Sequence, residues 1–246
     1  MVNMNNNQIL YKHFGDSDQE YSTVINRSYF EACPNNYYNF KTGERLKDQS
    51  AKKIIKTSEI YFCEQVHKSN VFIIDEHTSN NSIPDCDGLI TSIPNVFLAV
   101  RTADCYPVFI RDINKNVFAV AHSGREGSRL KIVQEILNIL FTGYNSVPND
   151  IFVEIGPGIC SKHYQVNKEI YNLFKINFPQ SVVLEDNDIY YLNIQAVILE
   201  TLNDNNIPKS NIITNTLCTY ENSNYFSYRR DKNNNRQINI MGMING

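Results

Sequence analysis

Residues 97–127 read FLAVRTADCYPVFIRDINKNVFAVAHSGREG, and this stretch decides the fold predicted for the chain. Two β-rich runs within it, residues 107–112 and 117–121, flank a short polar turn and therefore predict an antiparallel β-hairpin. With an even number of residues in that turn, the strand pairing places Cys105 and His122 on the same face. A thiol beside an imidazole serves either as a nucleophile with its base or as two ligands of a metal ion.

The composition indicates a packed, enzyme-sized globule. The chain has 246 residues, of which 42% are hydrophobic and 20% charged, so it can bury a substantial core. Its net charge of −3 offers no basic field for nucleic acid. No apolar run reaches the ~20 residues of a membrane helix, and the N-terminus has no signal-peptide pattern. We therefore expect a cytoplasmic protein that binds neither nucleic acid nor membranes, with its six cysteines reduced.

No linker, internal repeat or change of composition divides the chain. The sequence therefore predicts one α/β domain over residues 1–246, with mixed strands. Before the hairpin, residues 50–56 fit a helical turn, whereas residues 21–25, 59–63 and 71–75 are typical of strands. Polar, turn-rich sequence separates these strands from the hairpin.

Three helices are predicted after the hairpin. Apolar residues recur at helical spacing in each, namely Leu130, Val133, Leu137 and Leu140, then Val166, Ile170, Leu173 and Phe174, then Ile194, Val197, Ile198 and Leu202. Asn167 and Asn193 are suited to cap the second and third helices, and Gly143 is suited to end the first. The first helix is expected to cover a face of the sheet, and a buried strand at residues 151–155 separates it from the second.

Three apolar strands end in residues that zinc prefers. His67, Cys105 and His122 supply two imidazoles and one thiolate, which is one ligand short of a tetrahedron. An open fourth position is typical of a catalytic zinc site, because water bound there reaches a pKa of ~7. Each of the three residues taken alone is also compatible with a structural role, and Cys160 and His163 are rival ligands on the same argument.

Arginines near the C-terminus are candidates for binding a phosphate. Arg229 and Arg230 stand side by side, and Arg101 is a third candidate for a bidentate contact with an anion. A surface salt bridge to Asp231 is the alternative for the arginine pair. Asp104 can orient an imidazole or a substrate hydroxyl, or it can cap its own turn.

Six short motifs follow one another along the chain. They are Glu64-Gln-Val-His67, Asp87-Gly-Leu-Ile-Thr91, Leu98-Ala-Val-Arg-Thr-Ala-Asp-Cys-Tyr-Pro-Val108, Ala121-His-Ser-Gly124, Ile155-Gly-Pro-Gly-Ile159 with Tyr164-Gln-Val166, and Cys218-Thr219 with Phe226-Ser-Tyr-Arg-Arg-Asp231. In this order they resemble the YfiH-like family, which is also called the laccase-domain or polyphenol oxidoreductase family. The resemblance covers most of the chain, from about residue 61 to residue 243.

The resemblance implies a function and a fold. Members of the family are described as purine nucleoside phosphorylases, so it implies phosphorolysis of adenosine and inosine to the base and ribose 1-phosphate, together with adenosine deaminase activity. It implies a single four-layer α-β-β-α domain with mixed β-sheets. It also implies a zinc ion on His67, Cys105 and His122, which are then the catalytic residues. A purine nucleoside and phosphate are the partners expected of such a protein, as a monomer or weak homo-oligomer.

The chain departs from the family pattern in two places. The family turn His-Ala-Gly-Trp-Arg-Gly is His-Ser-Gly-Arg-Glu-Gly here, so that Ser123, Arg125 and Glu126 replace Ala, Trp and Arg. A carboxylate in place of a guanidinium can weaken anion binding there, or it can mark a subgroup. The family's Phe-Ser-Thr-Arg motif has its nearest match in residues 13–16, without the Arg. Asn39 corresponds to an Asn of the family and joins the candidate substrate-binding residues.

Three other functions stay open. Cys105 and His122 can act without metal as a cysteine hydrolase, as a Cys and a His do in the related toxin fold of the cytotoxic necrotizing factor. A copper-dependent polyphenol oxidase fits the family's older name. Copper sites in such enzymes are built largely from imidazoles, however, and this chain has five His with no His-x-His pair. A module that binds a nucleoside without converting it is the third.

Overall fold

The computed structural model describes the backbone of residues 8–13, 29–32, 38–39, 44–45, 53–56, 60–112, 114–185 and 189–244. Side chains are described for residues 60–112, 114–182 and 189–242.

The described elements are short strands followed by alternating strands and helices. The strands are β1 (Gln8–His13), β2 (Tyr29–Ala32), β3 (Tyr38–Asn39), β4 (Glu44–Arg45), β5 (Lys53–Lys56), β6 (Ile60–Cys63), β7 (Val71–Ile73), β8 (Ser82–Ile83), β9 (Gly88–Thr91), β10 (Phe97–Thr102), β11 (Tyr106–Asp112), β12 (Val117–Ser123), β13 (Ile151–Ile155), β14 (Gln165–Val166), β15 (Val182–Glu185), β16 (Ile189–Leu192), β17 (Ile212–Thr214) and β18 (Gln237–Ile244). The α-helices are α1 (Arg125–Arg129), α2 (Ile132–Gly143), α3 (Lys168–Asn177), α4 (Ile194–Asp204) and α5 (Tyr228–Asp231). Among these described helices, none has the length and apolar character needed to cross a bilayer.

A six-stranded sheet carries the predicted hairpin at its centre. Its strands run in the order β17-β13-β11-β12-β9-β7. β11 and β12 are antiparallel, with Asp112 opposite Val117 and Pro107 opposite His122, so the hairpin and its register are confirmed. Because Cys105 immediately precedes β11, this register places it on the same face as His122.

A five-stranded sheet packs against the six-stranded one. Its order is β1-β18-β10-β6-β8, and it is mixed, because β10 pairs parallel with β6 and antiparallel with β18. Phe109, Phe118 and Val120 of the first sheet lie in one apolar core with Leu98 and Val100 of the second. Alternate residues of each strand therefore meet between the sheets.

Helices cover the opposite face of the six-stranded sheet. Ile110, Ala119 and Val153 of that sheet form a second core with Ile136 of α2 and Val197 of α4. Since both faces of β11 and β12 are buried, these strands are apolar at most positions instead of alternating with polar residues. The described residues thus form three of the four layers that the resemblance implies, and the mixed α/β class with mixed sheets is confirmed.

Asparagine side chains begin two of the helices, as predicted. Oδ1 of Asn167 accepts a hydrogen bond from the N–H of Ile170 at 2.9 Å, at the start of α3. Oδ1 of Asn193 accepts one from the N–H of Ala196 at 3.1 Å, at the start of α4. A cap of this kind stabilises a protein by about 1 kcal/mol.

Details of the first two predicted helices are wrong. The first is divided into α1 and α2, because Lys131 adopts left-handed backbone with φ of 60°. Leu130 lies at this break and is 37% exposed, so it does not belong to the buried face. Val166 lies in β14 instead of on the second helix, and Leu173 is 39% exposed while Tyr171 is buried.

Of two predictions for the N-terminal part, the helical turn at residues 50–56 can be compared with the structure, and the strand at residues 21–25 cannot. β5 is a strand paired with β2, so the helical turn predicted for residues 50–56 is wrong. The strand predicted at residues 21–25 lies outside the described residues.

Candidate metal and substrate site

The structure brings three of the predicted residues into one cluster. One ligand atom each of His67, Cys105 and His122 lies within 4.8 Å of the other two. His67 follows β6, Cys105 precedes β11 and His122 lies on β12. The two imidazole rings meet edge to face, with their centroids 4.7 Å apart. Because His122 is buried, Cys105 half-buried and His67 exposed, the cluster opens to solvent on the His67 side.

A buried carboxylate orients both histidines. Oδ1 of Asp87 accepts a hydrogen bond from Nδ1 of His122 at 2.7 Å. The same carboxylate accepts the backbone N–H groups of Val66, His67 and Lys68 at 2.8–3.1 Å. Asp87 therefore leaves Nε2 of His122 as the ring nitrogen available to a metal ion, and it also holds the turn that carries His67.

The backbone of the site adopts uncommon conformations. φ is 59° at His67 and 83° at Asp104, a region that costs a residue other than glycine about 1–3 kcal/mol. At His67 the N–H bonds to Asp87 offset this strain. Gly124 stands across the hairpin mouth, and a Cβ there would lie 2.7 Å from Sγ of Cys105. The main chain therefore packs directly against the thiol.

The electrostatics of the three side chains favour a thiolate beside an imidazolium. Burial would raise the pKa of Cys105, but His122 and His67 outweigh burial and lower that pKa to about 6. Burial would lower the pKa of His122, but Cys105 and Asp87 raise it to about 9. Burial also opposes ionisation of Asp87, yet its bonds from His122 and Lys68 keep its pKa below the ordinary value. Between about pH 6 and 9 the negative sulfur therefore faces a protonated ring.

The donor set fits a zinc ion. Around tetrahedral zinc, with Zn–N near ~2.0 Å and Zn–S near ~2.3 Å, neighbouring ligand atoms lie ~3.3–3.8 Å apart. The three donor atoms, all within 4.8 Å of one another, need only a small inward movement to share one ion. A thiolate and two imidazoles are ligands that zinc prefers, and three protein ligands leave the fourth position open.

Tyr164 and Arg229 form a wall beside the cluster. The guanidinium of Arg229 lies 5.2 Å from the centroid of the Tyr164 ring and donates to the carbonyl oxygen of Gln165 at 3.0 Å. Burial raises the pKa of Tyr164, while Arg125 and Arg229 lower it and Cys105 raises it further. Tyr164 therefore interacts electrostatically both with the thiol of Cys105 and with the guanidinium groups of Arg125 and Arg229.

Asp104 positions the segment that carries Arg229. Its carboxylate accepts the hydroxyl of Thr219 at 2.8 Å and the backbone N–H of Arg229 at 2.7 Å. Its carbonyl oxygen accepts the N–H of Ile159 at 2.9 Å. Because Asp104 immediately precedes Cys105, these bonds hold two other chain segments next to the thiol. A direct contact of Asp104 with a substrate stays a prediction.

The substituted turn after His122 keeps a cation at the site. Glu126 pairs with Arg129 at 2.8 Å and approaches Arg125 at 3.6 Å, so its carboxylate is occupied by ion pairs on its own helix. Arg125 also interacts with Tyr164. A guanidinium is thus present one position before the arginine of the family pattern.

The other predicted substrate contacts have different surroundings. Arg230 turns its guanidinium into the protein, where it donates to Asp231 and to carbonyl oxygens of residues 219–225. Arg101 is exposed on β10. Asn39 lies in β3, and its side chain is outside the described residues. Contacts of these three residues with a substrate stay predictions.

A second group of metal-binding side chains lies outside the predicted set. One ligand atom each of Cys160, His163, Cys218 and Glu221 lies within 4.8 Å of the others. The sequence predicts Cys160 and His163 only as rivals for the first cluster and gives Cys218 and Glu221 no role. The Cys-x-x-His and Cys-x-x-Glu spacings are the signal that points to them. Asp87 was also missed, although an acid directly before the buried strand β9 indicates a paired carboxylate.

Comparison with known proteins gives one family and several named relatives. Residues 43–244 match the family described as multi-copper polyphenol oxidoreductase laccase. A Campylobacter jejuni protein named purine nucleoside phosphorylase is 33% identical over 181 residues, which cover 73% of this chain and 75% of the relative. A protein of the same name from Clostridium acetobutylicum is 31% identical over 211 residues, which cover 82% of this chain and 85% of the relative.

Solved structures share the fold. The YfiH protein of Bacillus licheniformis superposes with a TM-score of 0.71 at 28% identity, covering 75% of this chain and 74% of that one. YlmD of Geobacillus stearothermophilus superposes with a TM-score of 0.71 at 25% identity, and the match covers 77% of this chain and 75% of YlmD. The fold implied by the sequence motifs is therefore confirmed.

Proposed function

This chain belongs to the multi-copper polyphenol oxidoreductase laccase family, also called YfiH-like, and we propose that it is a metal-dependent purine nucleoside phosphorylase. The proposed substrates are adenosine or inosine with phosphate, and the products are the free base and ribose 1-phosphate. The names of the relatives described above support this choice. The observation that carries it is the cluster of His67, Cys105 and His122. Asp104, directly before Cys105, accepts the backbone N–H of Arg229 at 2.7 Å and so brings an arginine to this part of the molecule.

We propose zinc as the metal of this cluster. Two imidazoles, one thiolate and an open fourth position are typical of a catalytic zinc site. Enzymes with several copper sites build them largely from imidazoles. Among the residues whose side chains are described, the other histidines, His77 and His163, do not belong to the cluster. The donor set therefore favours zinc over the copper of the family's descriptive name.

The residues of this chain set the geometry of the centre before a substrate enters. When bound, a divalent cation supplies Lewis-acid polarisation to an oxygen atom in the open position. Asp87 fixes the ring of His122 through Nδ1 and the turn of His67 through backbone N–H groups. Since His67 lies on the solvent side and His122 on the buried side, a nucleoside would approach from the side of His67.

Arg229 and Arg125 are the proposed phosphate ligands. A guanidinium presents parallel N–H donors that match the oxygens of a phosphate. Arg229 is held in place by the Tyr164 ring, by the carbonyl oxygen of Gln165 and by the bond of its backbone N–H to Asp104. Phosphate held there attacks C1′ of the ribose, and the purine leaves with the electron pair of the glycosidic bond.

Adenosine deamination is proposed as a second activity of the same centre. Replacement of the 6-amino group by oxygen requires a water molecule placed against the purine ring, and the open position of a zinc site is suited to that chemistry. Release of ammonia from adenosine in the absence of phosphate measures this activity separately from phosphorolysis.

The contacts of Asp87 favour one alternative function, a thiol hydrolase. Asp87, His122 and Cys105 stand in the order of an orienting acid, a base and a nucleophile, and the pKa of Cys105 is lowered to about 6. In that alternative Cys105 forms a covalent acyl adduct and needs no metal. Zinc protection of Cys105 from alkylation would favour the metal centre, whereas an acyl adduct detected by mass spectrometry would favour the hydrolase.

The proposed function is tested by assaying zinc-loaded protein with adenosine and inosine, with and without phosphate. We expect release of the base only when phosphate is present. In Cys105→Ala we expect loss of the zinc bound by His67 and His122 and loss of activity, while circular dichroism stays unchanged. Arg229→Ala should raise the KM for phosphate roughly tenfold or more. Lys115→Ala is the control, because it also removes an exposed cation, in the β11–β12 turn at the end of the hairpin opposite Cys105. Full activity in Cys105→Ala would refute the metal centre.

A further inference from the structure

We propose that Cys160, His163, Cys218 and Glu221 form a second metal site, which holds one zinc ion in a structural role. Their ligand atoms lie within 4.8 Å of one another. The first two residues belong to the loop after β13 and the last two to the loop after β17. The site shares no residue with the first cluster, and the inference does not depend on the proposed function.

A single ring nitrogen lies at the centre of these four side chains. Nδ1 of His163 is 3.2 Å from Sγ of Cys160, 3.8 Å from Sγ of Cys218 and 3.4 Å from Oε1 of Glu221. One nitrogen carries either one proton or one lone pair, so a hydrogen bond can satisfy only one of these partners. A cation among the four atoms satisfies all of them, because thiolate, imidazole and carboxylate are all zinc ligands.

The distances from Nδ1 of His163 to the other three ligand atoms match those of a tetrahedral site. Zinc lies ~2.3 Å from sulfur and ~2.0–2.2 Å from nitrogen or oxygen, so that adjacent ligand atoms are ~3.3–3.8 Å apart. The contacts of Nδ1 of His163, at 3.2, 3.4 and 3.8 Å, agree closely with that spacing. The remaining pairs of ligand atoms lie within 4.8 Å of one another, so a small inward movement allows all four to bind one ion.

The two loops are already joined where the ligands meet. Two residues separate Cys160 from His163, and two separate Cys218 from Glu221, which is a spacing typical of paired ligands in structural zinc sites. The backbone N–H of Cys160 donates to Sγ of Cys218 at 3.2 Å. A parallel β-bridge between Gly158 and Cys218 lies beside this bond. An N–H bond to the sulfur also stabilises a thiolate ligand.

Neighbouring side chains hold the ligands in position. The ring of Tyr220 stacks on that of His163, with 4.5 Å between centroids and 15° between planes. Arg230 donates to the carbonyl oxygens of Thr219 and Tyr220 at 2.7 and 3.0 Å, and so fixes the loop that follows Cys218. Ligands that are held by their surroundings bind a metal at a smaller entropy cost.

The second site differs from the first in being closed. Four protein ligands complete a tetrahedron and are typical of structural zinc, whereas three ligands with an open position are typical of catalytic zinc. An ion at the second site ties the loop that ends at Tyr164 to the loop that leads to Arg229. We therefore expect it to stabilise the wall formed by those two residues.

Metal analysis of Cys105→Ala separates the two sites, because this variant leaves all four ligands of the second site intact. We expect two zinc ions per wild-type chain and one per Cys105→Ala chain after equilibration with zinc and gel filtration. Cobalt(II) substitution identifies the ligands, since charge-transfer absorption from two thiolates should persist in Cys105→Ala. A Cys105→Ala protein that binds neither zinc nor cobalt would overturn the proposal.

Ligand variants in the Cys105→Ala background identify the residues. Replacing Cys160 and Cys218 together with Ser should abolish the remaining zinc. Glu221 is exposed, so Glu221→Gln carries little risk to folding and should weaken zinc binding on the order of tenfold or more. Glu76→Gln, an exposed control elsewhere, should leave the affinity unchanged. Equal zinc affinity in Glu221→Gln and its parent, or a Cys160–Cys218 disulfide in zinc-treated protein kept under reducing conditions, would contradict the proposal.

Discussion

Asp87 accepts hydrogen bonds from four donors with one buried carboxylate, and two of those donors belong to histidines. Its exposed fraction is 0%, so no water can replace a donor that is lost. The position of both imidazoles in the first cluster therefore depends on a residue that is not itself among the proposed ligands.

Replacing Asp87 by Asn tests this dependence. The amide nitrogen of Asn cannot accept a hydrogen bond, so either the His122 ring or the turn of His67 loses its partner. We expect zinc affinity at the first cluster to fall about 10–100-fold, measured by competition with a chromophoric chelator. Asp75→Asn is the matched control, because exposed Asp75 also accepts a backbone N–H, from His77, away from the cluster. Equal losses in both variants would argue against a specific role for Asp87.

The pKa of Cys105 predicts how its alkylation depends on pH. In chelator-treated protein, the rate with iodoacetamide should stay level between about pH 6 and 9 and fall about tenfold per pH unit below 6. The fall occurs on the acid side because protonation removes the thiolate. Cys160 is the internal comparison, since burial and Cys218 raise its pKa to about 11. A rate at Cys105 that instead rises through pH 8.5 would show an ordinary thiol.

At the scale of elements, the mouth of the β11–β12 hairpin joins the fold to the site. The hairpin was predictable because two apolar runs flank a polar turn, and their register follows from the length of that turn. The division between α1 and α2 was not predictable, because it depends on the left-handed backbone of Lys131, which no residue preference indicates. Local sequence patterns thus predicted the hairpin strands and the two asparagine caps of the helices. They did not predict the break between α1 and α2 at Lys131.

Gly124→Ala tests the hairpin mouth. A methyl group there would lie 2.7 Å from Sγ of Cys105, so the thiol must move and the zinc geometry must change. We expect weaker zinc binding at the first cluster with little change in circular dichroism. Gly143→Ala is the control, because its added methyl group would meet only Cγ2 of Ile139 at 3.9 Å. Unchanged zinc affinity in Gly124→Ala would show that the thiol does not face the metal as described.

The two metal-binding groups differ in how far the sequence could predict them. His67, Cys105 and His122 were found because each stands at or near the end of an apolar strand, and the pairing of the hairpin strands that carry Cys105 and His122 could be inferred. The second group combines Cys160 with Cys218, 58 residues further along the chain, and only the pairing of two loops brings them together. Spacing within each loop is visible in the sequence, whereas contact between loops is not.

At the scale of the whole molecule, the core between the two sheets fixes the position of strand β11, which begins next to the site. Phe109 of the six-stranded sheet is fully buried in the core shared with Leu98 and Val100 of the five-stranded sheet. The same strand, β11, begins directly after Cys105. We therefore expect the stability of this core and the geometry of the site to be coupled. That the whole chain forms one domain stays a prediction.

Phe109→Ala measures that coupling. Removing a buried aromatic ring should lower the free energy of unfolding by about 3–5 kcal/mol, with one cooperative transition in urea. Phe72→Ala is the control, because Phe72 is 41% exposed on the edge strand β7 and should cost less than about 1 kcal/mol. Two separate transitions would contradict a single domain, and equal losses in the two variants would contradict the core as described.

The most direct test of the central claim is the phosphorus NMR spectrum of zinc-loaded protein incubated with inosine and inorganic phosphate. A metal centre on His67, Cys105 and His122 that catalyses phosphorolysis predicts a growing ribose 1-phosphate signal, which chelation abolishes and added zinc restores. Hypoxanthine formed with no phosphate ester, or ribose 1-phosphate formed equally well after the metal is removed, would contradict the account.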